Sequence, residues 1–77
     1  MIHAARLARS PRLRRVHALL LDELPHSTLE IIQGAQVCAV SSCIDELRAP
    51  INGCDIACWQ EGRIFYYQLK IETMEAA

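Results

Sequence analysis

The residues of this chain with chemistry to offer are four cysteines, three histidines and a set of arginines near its beginning. Cys38, Cys43, Cys54 and Cys58 are spaced C-x4-C-x10-C-x3-C, without the C-x2-C knuckle of common structural zinc sites and with no histidine close by in sequence. On one extended strand Cys54 and Cys58 share a face but stand about 13 Å apart, too far for one tetrahedral ion. The expectation is four reduced thiols acting as small hydrophobes, with no metal and no other cofactor. His3, His17 and His26 fall on the N-terminal stretch, a first helix and a loop, and no nucleophile is paired with any of them. A glycine-rich phosphate loop, a metal motif and a nucleophile elbow are all missing. This inventory implies a binding protein, not an enzyme, with no small-molecule substrate.

The charges point the same way. Residues 1–15 carry Arg6, Arg9, Arg12, Arg14 and Arg15 and no acid, whereas the rest of the chain carries three bases against nine acids. A basic arm on an acidic body suits phosphate contact, because neutralised phosphates release counterions; it suits a solvated N-terminus equally well. With 52% apolar and 22% charged residues the composition is that of a globular domain, and no apolar run approaches the ~20 residues needed to span a bilayer. No secretory signal is recognisable, so a cytoplasmic location is expected.

Local patterns define the elements that must position these residues. Ser10-Pro11 is a helix start, and Leu13, Val16, Leu20 and Leu24 form an apolar stripe that Pro25 stops, giving a helix over 11–24. Ser27-Thr-Leu-Glu30 matches a capping box and opens a short helix over 28–35, which should fail near Gly34. Val37, Val40, Ile44 and Leu47 give a third helix over 38–49, ended by Pro50. The period then drops to two, and strands at 54–59 and 64–71 flank a turn at Gln60-Glu61-Gly62-Arg63. Phe65, Tyr67, Leu69 and Ile71 are assigned to the core face, Trp59, Ile64 and Tyr66 to the outer face. The expected core is Leu13, Val16, Leu20, Leu24, Leu29, Ile32, Val37, Val40, Ile44, Leu47, Ile56, Phe65, Tyr67 and Leu69. Residues 1–10 are read as a flexible basic arm, 11–71 as the domain and 72–77 as a loose tail.

The stretch STLEIIQGAQVCAVSSCIDELR, followed by G-C-D-I and R-I-F-Y-Y-Q-L, resembles small helix-turn-helix proteins of phages and prophages. The resemblance covers about residues 13 to 70 and rests most on Ser27 to Glu30, Asp45-Glu46-Leu47-Arg48 and Gly53 to Ile56. It implies an α+β winged helix-turn-helix fold, three helices followed by a two-stranded β-hairpin wing. Two departures stand out: Gln36 occupies the inter-helix turn where glycine is expected, and Ala49-Pro50-Ile51-Asn52 lengthens the link to Gly53.

The fold implies a transcriptional regulator or accessory factor that binds double-stranded DNA. The third helix would then enter the major groove, with Gln36, Ser41 and Ser42 as base contacts, Arg63 as the wing residue, and Arg12, Arg14 and Arg15 on the phosphates. That helix carries one base and two acids, which is poor charge for reading DNA. The competing expectation is a protein-binding module, a homodimer or an inhibitor of a host protein, that uses Trp59, Ile64 and Tyr66 as its contact surface.

Overall fold

The computed structural model describes residues 5–71. Ser10 and Pro11 open the first helix: the Ser10 hydroxyl accepts from the Leu13 amide at 3.4 Å, and Pro11 takes the first helical position, where its missing N–H costs no bond. α1 runs Pro11–Leu20 and buries Leu13, Val16 and Leu20. It ends short of Leu24, because the chain turns away with the Glu23 amide bonded to the Leu20 carbonyl and Glu23 at a left-handed φ of 60°. Leu24, expected in the core, is 58% exposed as a result.

The chain then makes a strand that the sequence does not announce. β1, His26–Ser27, sets His26 opposite Tyr67 and Ser27 opposite Tyr66 of the last strand. Two residues are too few to show an alternation. Ser27 at once begins α2, Thr28–Ala35, through the expected capping box: its hydroxyl accepts from the Glu30 amide at 3.1 Å, and the Glu30 carboxylate accepts from the Ser27 amide at 3.0 Å. Gly34 lies inside this helix and does not end it. A Cβ there would sit 3.2 Å from both Leu19 methyls, so the glycine lets α1 close on α2. α3 runs Val40–Arg48, later than expected, with Ala39 at its N-cap making no side-chain cap bond.

β2, Asp55–Glu61, and β3, Ile64–Lys70, form a hairpin whose turn has shrunk to Gly62-Arg63, with Gly62 at φ 61°. With β1 the result is a three-stranded antiparallel sheet in the order β1-β3-β2, where a two-stranded hairpin is expected from the sequence. The fold is α+β, three helices and this sheet.

The core joins Leu13, Val16 and Leu20 to Ile31, Ala35, Val37, Val40, Cys43, Ile44 and Leu47, and closes on Ile56, Tyr67 and Leu69. On α2 the buried pair is Ile31 and Ala35, one turn apart; Leu29 is 60% exposed and Ile32 only half-buried. Phe65 shares the core face of β3 but is 44% exposed, and Ile71 beyond the strand is exposed too.

Residues 5–10, read from sequence as part of a flexible arm, are bonded to the body. Asn52 accepts from the Leu7 amide at 2.7 Å and donates to the Ala5 carbonyl at 2.9 Å, while Glu46 accepts from the Ala5 amide at 3.3 Å. Leu7–Arg9 form one 3₁₀ turn, and Ala5 and Leu7 pack on the core. The arm's first residues, 1–4, and the tail 72–77 lie outside the described residues. No helix among the described residues is long and apolar enough to cross a membrane.

Candidate nucleic-acid interface

α2 and α3 meet at a corner made by Gln36, which ends α2 at φ 54° and ψ 51°. Those left-handed angles are the geometry for which glycine is expected. Val37 then turns into the core, leaving Cys38 and Ala39 outside. Because Val40, Cys43, Ile44 and Leu47 anchor α3, Ser41, Ser42, Asp45 and Arg48 are its exposed residues. Arg48 is committed: its Nε donates to the Ile56 carbonyl at 2.9 Å and pins the end of α3 to β2. Arg12, Gln36 and Ser42 share one shallow depression with Val37, Cys38, Ala39 and Cys43. Ser41 lies beside it on the exposed side of α3.

The arginines expected on DNA are divided by the fold. Arg12 forms a salt bridge with Glu46 and donates to the Cys43 Sγ at 3.1 Å, so its charge is already answered in part. The guanidinium holds the Glu46 carboxyl below the ordinary carboxylate range, and Glu46 in turn raises the Arg12 pKa. Arg15 donates from Nε to the Ala35 carbonyl at 2.8 Å, satisfying an orphan acceptor at the end of α2. Arg14 lies on another side of α1, in a cleft with Arg6 and His17. Arg63 is at the hairpin tip, on an apolar groove lined by Thr28, Leu29, Ile32, Ile64 and Phe65.

Trp59 and Tyr66 are opposite one another on the outer face of the hairpin, with ring centroids 6.0 Å apart and planes 20° from parallel. The Trp59 Nε1 donates to Glu61 at 2.7 Å, and both rings are half-buried. Ile64, 48% exposed, stands at the turn end of that face.

All four cysteines are free thiols, Cys38 and Cys58 exposed, Cys54 half-buried and Cys43 buried. Burial pushes the Cys54 thiol up. Among the described residues no group of three or more His, Cys, Asp or Glu is placed to hold a metal ion.

One polar cluster escapes the sequence reading. His26 is 9% exposed, with Nε2 2.9 Å from both Asp22 carboxylate oxygens and Nδ1 3.5 Å from Glu30, within ion-pair range but without a hydrogen bond. The Leu24 amide and then His26 lower the Asp22 pKa, and the Ser27 amide leads in lowering that of Glu30. The cluster ties the α1–β1 turn to α2. Its only sequence signal is the i, i+4 spacing of Asp22, His26 and Glu30.

Comparison of the chain with protein-family models, with curated proteins and with solved structures gave no match.

Proposed function

We propose that this chain is a winged helix-turn-helix protein that binds double-stranded DNA, as a phage- or prophage-type transcriptional regulator or accessory factor of the cytoplasm. The observation that carries the reading is the corner at Gln36. It joins two short helices and leaves the start of α3 exposed, polar and free of bulky side chains, with the β2–β3 hairpin following. In this reading α3 enters the major groove by its N-terminal end. Gln36, Ser41 and Ser42 offer donors and acceptors to base edges, and the small residues Cys38 and Ala39 permit close approach. Arg63 extends the hairpin tip toward the phosphates or the minor groove. Arg12 divides its guanidinium between Glu46 and a phosphate.

Selection of bound duplexes from a random library tests this directly. The full chain is expected to enrich a motif, and the Ser41→Ala/Ser42→Ala variant to blur it while retaining general duplex affinity. A wild-type protein that enriches nothing contradicts base readout by α3.

A second reading, a module that binds a protein partner or a second copy of itself without DNA, is favoured by the apolar surface of the hairpin. Leu29, Ile64 and Phe65 are exposed around one groove, and the Trp59–Tyr66 stack lies on the outer face. Here Tyr66→Asp should dissolve a complex seen by sedimentation without unfolding the domain; an unaffected complex counts against that face.

A further inference from the structure

α1 presents two unlike sides. Arg12 and Arg15 turn toward α3 and α2, where Glu46 and the Ala35 carbonyl receive them. Arg14 projects about 200° around the helix from Arg12, and His17 about 140°. These two meet Arg6 in a cleft completed by Leu7, Ala8, Ile51 and Asn52. We infer that this cleft, between the 3₁₀ turn, α1 and the loop after α3, is a phosphate-binding site separate from the α3 face, and that the phosphates belong to a nucleic-acid backbone. The choice of polymer rests on the nucleic-acid reading above; the preference of the cleft for phosphate does not.

Three observations converge on it. First, two arginines of the N-terminal segment, Arg6 and Arg14, meet there. From Ala5 to Leu21 the sequence holds five arginines and no acid, and among the described residues neither Arg6 nor Arg14 is paired with a carboxylate. The α3 face by contrast has Arg12 paired with Glu46, Arg48 committed to a backbone carbonyl, and Asp45 exposed. Second, the cleft carries charge of one sign only, with Arg6 and Arg14 beside the apolar side chains of Leu7, Ala8 and Ile51, and a lining of one sign favours an anion. At about 560 Å³ the cleft has room for a phosphate group with part of its hydration shell. Third, the backbone at Arg6 is fixed in advance. Asn52 accepts from the Leu7 amide and donates to the Ala5 carbonyl, gripping the backbone on both sides of Arg6, and its amide also donates to the Glu46 carbonyl at 2.8 Å. Binding therefore spends little ordering entropy on that segment. Guanidinium forks match phosphate oxygens in pairs, so Arg6 and Arg14 are the binding residues and Asn52 is a positioning residue.

The test is a titration of the labelled full chain with sodium tripolyphosphate, followed by amide resonances, then a salt series with a random-sequence duplex. The largest saturable shifts are expected at Leu7, Ala8, Arg14 and His17. Arg6→Ala/Arg14→Ala should weaken tripolyphosphate binding at least about tenfold and flatten the duplex salt dependence by up to about two units of slope. An unchanged amide spectrum outside the cleft certifies that this variant is folded. Shifts centred on Arg12 and Ser42, or a double variant with unaltered affinity and slope, overturn the cleft and leave the α3 reading standing. A wild-type chain that binds tripolyphosphate in the cleft but no duplex overturns the nucleic-acid assignment and the DNA reading together. A hexaglutamate peptide that binds there more tightly than tripolyphosphate overturns the phosphate assignment in favour of an acidic protein.

Discussion

Arg12 on α1 and Glu46 on α3 form a salt bridge across 34 residues of sequence, and the same two side chains reach Cys43 and the Ala5 amide. Arg12 is 41% exposed and Glu46 only 15%, so solvent screens the pair in part. Glu46→Gln should cost about 0.5–1 kcal/mol at neutral pH. Because the folded state holds the Glu46 pKa below its unfolded value, this contribution is fully present above about pH 4.3 and is lost as pH falls through the folded pKa. Chemical melts of wild type and variant should converge on acidification. A gap as wide in acid as at neutrality would contradict the pairing.

Two leucines that look alike in sequence should behave very differently. Leu47 is 0% exposed and joins α3 to the core, so Leu47→Ala should cost about 2–5 kcal/mol. Leu29 is 60% exposed, and Leu29→Ala should stay within about 0.5–1 kcal/mol of wild type. Urea melts measure both. Equal losses would mean that α2 buries a different face.

The contrast between these leucines also shows what the sequence reveals. Ser10-Pro11, the Ser27–Glu30 capping box and the change of period after Gly53 are local signals, each satisfied within a few residues, and the elements appear where they direct. Leu24, Leu29 and Phe65 look like core residues in the sequence and are exposed, because hydropathy reports what would gain from burial, not whether a neighbouring element reaches that far. α1 stops at Leu20 and, among the described residues, no helix covers the hairpin tip, so all three are left in solvent. β1 exists only because Tyr66 and Tyr67 are there to pair with it. The roles of the arginines were hidden for the same reason: Glu46, the Ala35 carbonyl and Asn52 are distant in the chain, and no local pattern assigns Arg12 inward and Arg14 outward.

Gln36 pays for its place at the corner with a left-handed backbone. Gln36→Gly removes a conformational penalty of about 1–2 kcal/mol and adds about 0.5–1 kcal/mol of unfolded-chain entropy, so a net gain of about 0–1.5 kcal/mol is expected. A thermal melt measures it. Lowered stability would mean that the Gln36 side chain is needed to hold the corner.

The thiols should separate by exposure. Alkylation followed by mass spectrometry is expected to modify Cys38 and Cys58 first, Cys54 more slowly because burial raises its pKa and lowers its thiolate fraction, and Cys43 only on unfolding. Dialysis against a chelator should leave the melt unchanged. Early modification of Cys43, or a melt that a chelator lowers, would contradict the packing described for this core.

The measurement that bears most directly on the nucleic-acid reading is the affinity of the full chain for a random-sequence duplex as salt is raised. The logarithm of the binding constant should fall linearly with the logarithm of salt concentration, by about 0.9 for each phosphate neutralised, giving a slope of roughly −2 to −4 if Arg6, Arg14, Arg63 and part of Arg12 make contact. No measurable affinity at low salt, or an affinity indifferent to salt, would contradict it.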